Sequence, residues 1–194
     1  MKKTLIIALS LLISSYTFCQ TPSSFDREEV VEVKNTKAKL YANAQTWIAK
    51  TFGSYNAVVQ FEDKNQGRIL LKAKSNINFA NTFKDVKYTI IIDVKDNKYK
   101  YSIEDVEIGI GSAKTATTYH TVGGRLLYRE FLISQKNKLL DEKASGKGGA
   151  DIQDKIDNST LYYQIEERGY ELISTKLIDL TNSLKIDMKK NDDF

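Results

Sequence analysis

EEVVEVKNTKAKLYANAQTWIAKTFGSYNAVVQFEDKNQGRILLKAKSNINFANTFKDVKYTIIIDVKDNKYKYSIEDV, residues 28–106, decides the fold. Its centre alternates. Ile69, Leu71 and Ala73 alternate with polar neighbours over 68–74, and Tyr88, Ile90, Ile92 and Val94 form one set over 88–94. Tyr99, Tyr101 and Ile103 alternate with Lys98, Lys100, Ser102 and Glu104. A period of two means strands with one buried and one wet face. The stretch 57–62 reads as one more strand, with Val59 and Phe61 inward. Asp63–Gly67 and Asp96-Asn97 read as hairpin turns between these strands.

Upstream the period changes. Leu40, Ala44, Trp47, Ile48 and Phe52 recur at helical spacing. Asn35 or Thr36 can cap that helix, and Gly53 can end it. Before it, residues 27–33 carry the β-branched Val30, Val31 and Val33, suited to a strand. One strand, one helix and four strands in succession predict an antiparallel sheet covered on one face by helix, an α+β domain.

The pattern loosens at Gly109 and Gly111, which read as the end of the sheet. Residues 109–158 read as an insertion or loop region with a possible helix at 125–142, and 143–151 as a mobile loop. A final helix over 159–188 starts from Asn158 or Ser159 as cap. It carries one seam at steps of three and four through Tyr162, Ile165, Gly169, Ile173, Leu177, Leu180, Leu184 and Met188. The seam should pack on the sheet, on residues 125–142 or on a partner. Residues 189–194 read as a tail.

The first 19 residues read as an export signal. Lys2 and Lys3 precede the apolar run Leu5–Ile13, with Ser14, Ser15 and Thr17 after it. The run is too short for a permanent membrane span. A cut before Gln20 places Thr17 and Cys19 at the small-residue positions, and residues 20–26 then form a flexible leader. The rival reading is a lipoprotein acylated on Cys19; Tyr16 and Phe18 do not fit that motif. After the cut no cysteine remains, so the fold rests on its apolar core. Loss of Lys2 and Lys3 leaves 27 basic against 25 acidic residues. Such a balance does not by itself drive binding to nucleic acid or to an anionic membrane.

Glu29-Val30-Val31, Leu40-Tyr41 with Trp47, Val58-Val59, Gly67-Arg68-Ile69, Tyr88-Thr89-Ile90 and Lys98-Tyr99-Lys100-Tyr101 together resemble one bacterial family. It is the secreted domain of unknown function 4468, with a TATA-binding-protein-like (TBP-like) fold. The resemblance covers roughly 28–106. It implies a β-α-β4 core with a further helix, which 159–188 can supply, and it implies no catalytic residue.

The residues offer little chemistry. His120 is the only histidine, and with no mature cysteine it lacks metal-ligand company. Gly109–Thr115 and Gly146–Gly149 fail the spacing of a phosphate loop. Asn158-Ser159-Thr160 matches a glycosylation sequon but reads as a helix cap. Glu104, Asp105 and Glu107 could do acid–base work or bind calcium, or could simply charge a strand end against edge pairing. No catalytic, metal or cofactor residue is assigned. The open sheet face is the candidate surface, through Val58, Gln60, Leu70, Lys72, Ile91 and Lys100, with Val58, Leu70 and Ile91 as its apolar centre.

The expectation is a periplasmic or secreted, non-catalytic binding or interaction module of the cell envelope. Its partner would be a protein or peptide, with no nucleic acid and no membrane span. The alternatives are a hydrolase-like enzyme using residues 104–107 or His120, and a structural protein self-associating through the final helix.

Overall fold

The computed structural model describes residues 25–112 and 114–191. The export signal over 1–19, with Cys19, lies outside the described residues, as do most of the 20–26 leader and the end of the tail.

The order is β1 (Arg27–Glu32), α1 (Lys37–Phe52), α2 (Tyr55–Val58), β2 (Val59–Asp63), β3 (Arg68–Phe79), β4 (Phe83–Lys95), β5 (Lys98–Ile110), β6 (Thr118–Thr121), α3 (Val122–Ala144) and α4 (Ile152–Met188). The strands form one antiparallel sheet in the order β1-β5-β4-β3-β2, with β6 continuing the β1 edge along β5. The α+β arrangement expected from residues 28–106 is present, with α1 and the second half of α4 on one face.

The alternation places the core as read. Ile69, Leu71, Ile90, Ile92, Tyr99 and Ile103 are buried beneath Leu40, Ala44, Trp47 and Ile48 of α1. Thr36 caps α1 by accepting from the Lys39 amide at 3.2 Å, and Gly53 ends it in the left-handed region. Helix α4 adds Tyr170, Ile173, Leu177, Leu184 and Met188 to the same core. Polar bonds lock the helices. The Trp47 indole N–H donates to Ser183 Oγ at 2.9 Å, and the Asn43 amide donates to the Met188 and Lys190 carbonyls ending α4. Lys185 and the Tyr101 hydroxyl meet on Glu29 at 2.6 and 2.7 Å, holding its carboxyl below the usual range and fastening α4 to β1 and β5.

Three expectations are corrected. First, the sheet does not end at Gly109. Strand β5 runs on to Ile110 through a bulge at Asp105, whose φ is 54°. Gly109 is kept by proximity, since a Cβ there would meet the Asp85 carboxylate at 2.3 Å. Second, 109–158 is more than a loop region: the helix read at 125–142 is present within α3, and a loop remains over 145–151. The stretch holds β6, all of α3 and the start of α4. Third, α4 starts at Ile152, so Asn158 and Ser159 lie inside it and cap nothing. The Ser159 hydroxyl instead donates to the Leu132 carbonyl of α3 at 3.5 Å.

Helix α4 spans 37 residues, about 55 Å at 1.5 Å per residue. Its single seam serves two partners in turn. From Tyr170 onward it faces the sheet and α1; before Gly169 it faces α3. The two helices form an antiparallel arm, with Leu132 and Ile156 buried between them, apart from the main core.

Candidate interaction surfaces

The strand register lays the helix-free face out in rows. One row runs Phe61, Leu70, Ile91, Ser102 and Glu28 across β2, β3, β4, β5 and β1. The next runs Arg68, Asp93, Lys100 and Val30. Arg68 holds Asp93 with two bonds of 2.6 and 2.9 Å, and Lys100 reaches Glu28 at 2.9 Å. Each partner raises its cation's pKa. At these exposed positions such pairs set order more than stability.

Of the six candidate face residues, Leu70 and Ile91 stand side by side and half-buried, Lys72 is exposed opposite Thr89, and Lys100 is in place. Gln60 is exposed on β2, its amide donating to the Val58 carbonyl at 3.2 Å. Val58 is a correction. It ends the short helix α2 and packs against the core.

Phe61 takes its place. A register shift between Val59 and Phe61 turns Phe61, expected inward, onto the open face, where it is 49% exposed. The same shift carries Glu62 to the helix side, opposite Ile69. There it accepts from Tyr55 at 2.6 Å, Tyr41 at 3.0 Å and Gln45 at 3.2 Å. These donors lower the Glu62 pKa, led by Tyr55, while burial and Glu62 push the Tyr55 hydroxyl up to about 12. A bulge breaks strict alternation, and nothing in the residues around Gln60 announced this one.

The acidic trio sits within β5, not at its end. Asp105 Oδ2 accepts from Thr89 Oγ1 at 3.1 Å, and Glu107 pairs in register with Lys87. Lys87 stacks 3.2 Å from the centroid of the Tyr119 ring. His120 is half-buried on β6, opposite Ile108. Residues 109 and 110 are strand and no helix opens at Lys114, so the phosphate-loop likeness has no structural counterpart. Among the described residues no group of three or more His, Cys, Asp or Glu could hold a metal, and no helix is long and apolar enough to cross a membrane.

Seven of the eleven exposed large apolar side chains among the described residues are on the arm. Leu127, Tyr128, Phe131, Ile133 and Leu140 lie on α3, with Leu161 and Tyr162 facing solvent on the first half of α4. Leu127 is 68% exposed, Tyr162 56% and Phe131 52%. Tyr128 and Phe131 stack at 6.4 Å.

The arm's root is polar and tight. Arg125 pairs with Glu166, and Arg129 pairs with Glu167 and donates to the Tyr163 hydroxyl at 3.0 Å. Arg125 lies over the Tyr128 and Phe83 rings at 4.7 and 5.8 Å. Burial raises the Glu166 pKa against the pull of Arg125. At Gly169 a Cβ would fall 2.3 Å from the Phe83 ring, so only glycine lets α4 cross there. Sequence reasoning missed this surface. Leu127 and Phe131 were visible as apolar residues of a possible helix, but which face would be covered was not.

The β-α-β4 block under α1 and α4 defines a TBP-like α+β domain. Residues 28–108 match the family described as domain of unknown function (DUF4468) with TBP-like fold, so the resemblance carried by Leu40-Tyr41, Trp47 and Gly67-Arg68-Ile69 holds over that span. Among solved structures, the chain is similar to a TBP-like protein from Parabacteroides distasonis ATCC 8503, at 15% identity and a TM-score of 0.48, over 84% of this chain and 94% of that one. It is also similar to a DUF4468 family protein from Bacteroides ovatus ATCC 8483, at 10% identity and a TM-score of 0.49, over 89% and 91%. No curated protein matches the chain.

Proposed function

We propose that this chain is an exported, non-catalytic interaction module that works at the cell envelope by docking its helical arm on a protein partner. One observation carries the reading: the gathering of Leu127, Tyr128, Phe131, Leu161 and Tyr162 on a two-helix projection. Scattered surface apolars are ordinary, but a cluster on one element marks a contact surface. The export part rests on Lys2, Lys3 and the apolar run Leu5–Ile13. The row Phe61-Leu70-Ile91 is a smaller second surface of the same kind.

The hydrolase alternative would draw on His120 or residues 104–107. Its carboxylates already have structural neighbours, Thr89 for Asp105 and Lys87 for Glu107. The test is photo-cross-linking in intact cells from position 127, 131 or 162, with position 56 on α2 as control. One defined protein should be captured from the arm and not from the control. Equal yields from arm and control would overturn the reading. Capture of a second copy of the chain would replace the partner by self-association.

A further inference from the structure

Strand β2 pairs with β3 only as far as Leu71. Beyond it, Lys72 to Asn76 form an open edge of the sheet. The other wall of this gap is formed by the end of α1 and by α4, and the cleft between has a volume of about 1020 Å³. Phe52 and Leu180 give it an apolar side, and Lys72, Ala73, Lys74 and Ser75 border it in sequence. Free N–H and C=O groups along an edge can be completed by an added strand, with alternate side chains entering pockets beside it.

We propose that this cleft takes an extended acidic peptide, which adds as a strand to β3 along Lys72–Asn76 in line with β2. The charge along the edge itself favours an acidic occupant. Strand β3 carries Arg68, Lys72 and Lys74 and no acid. The carboxylates of the cleft stand back from this edge: Asp105 and Glu107 lie on β5, two strands in, and Asp179 lies with Lys176 on the α4 wall. Lys72 and Lys176 make no ion pair among the described residues, and Lys74 reaches only Asp85, at 3.5 Å. Lysines on an edge repel basic strands and discourage indiscriminate pairing. The same lysines favour a strand with carboxylates at alternate positions, because its outward side chains fall beside Lys72 and Lys74. Phe52 and Leu180 would receive its inward side chains. The site is separate from the arm and does not depend on the arm's role.

Hydrogen exchange on the full chain tests this with two synthetic ten-residue probes, one alternating Thr and Glu, the other Thr and Lys. The Glu probe should slow exchange of the amides over 72–76, and the Lys probe should not. The double variant K72E/K74E should weaken the Glu probe by about tenfold, the effect of roughly 1.4 kcal/mol lost across two exposed charges. The milder K72Q/K74Q should lose less, and F131E on the arm should change nothing. Equal binding of both probes, or no protection at 72–76, would overturn the proposal. So would protection that rises with protein concentration in the absence of probe, because a second copy would then fill the edge.

Discussion

The sheet block and the helical arm share one helix, α4, and handle apolar side chains in opposite ways. In the block, nearly every apolar position of the seam meets a partner: Tyr170, Ile173, Leu177 and Leu184 are buried against strands and α1. In the arm the seam buries Ile156 and Leu132, while Leu127, Phe131, Leu161 and Tyr162 face solvent. A strand layer offers α4 a wide floor; a single facing helix covers only a narrow stripe. The block is therefore a finished core, and the arm leaves large apolar side chains in water.

The contrast can be broken most forcefully from the block side. Trp47→Ala removes a buried side chain and its bond to Ser183. It should cost about 3–5 kcal/mol, read as the midpoint shift in chemical unfolding, with both regions unfolding together. If the arm alone melted, the two regions would not share one cooperative core.

Next comes the root. Arg125→Met strands the buried Glu166 carboxylate and should cost about 3–5 kcal/mol, whereas the double variant R125M/E166L should recover most of it. A double variant no better than the single one would show that the pair itself, and not an orphaned charge, sets the loss. Gly169→Ala should cost about 1–3 kcal/mol, because its methyl group meets the Phe83 ring. The accompanying F83L should restore part of that, measured by thermal unfolding.

Acid should affect the two regions with opposite sign. In the block, Glu29 and Glu62 are held below the unfolded value of 4.5, so their contribution is present above that pH and lost as pH falls through the folded values. At the root Glu166 is raised, so its contribution is largest below 4.5 and lost as pH rises through the folded value. Because the two regions unfold together, both contributions enter one unfolding free energy, and variants separate them in chemical unfolding between pH 3 and 6. E62Q should flatten the gain of stability with pH, and E166Q should steepen it by removing the opposing loss. An E166Q slope equal to that of the parent chain would contradict the assignment.

The smallest change in stability is expected from Phe131→Ser on the arm, within about 0.5 kcal/mol, since its side chain is already half in water. Its effect should appear in partner capture instead.

Most of the block was legible because its patterns are local. Tyr88, Ile90, Ile92 and Val94 alternate without a break, and Leu40, Ala44, Trp47 and Ile48 keep one helical face. Legibility failed where the backbone departs from its period. The bulge before Phe61 exchanges the faces of Phe61 and Glu62, and the left-handed Asp105 lets β5 outrun its apparent end. It failed again at the start of α4, where Asn158 and Ser159 carry the signal of a cap that Asp151 occupies. In the arm, the residues named a helix but not which of its faces would remain bare. That depends on a tertiary partner, and Leu127 and Leu132 look alike in a string of letters.

The length of α4 has a mechanical meaning. Its far half is clamped by Trp47, Asn43 and Glu29, and its near half carries the arm past Gly169. A stiff rod held at one end is a lever. A tilt of about 10° at Gly169 would swing Ile152 through about 4 Å over the 17 residue steps that separate them, taking about 1.5 Å per step. Force applied to the arm tip is thereby delivered to Phe83 and the sheet beneath it.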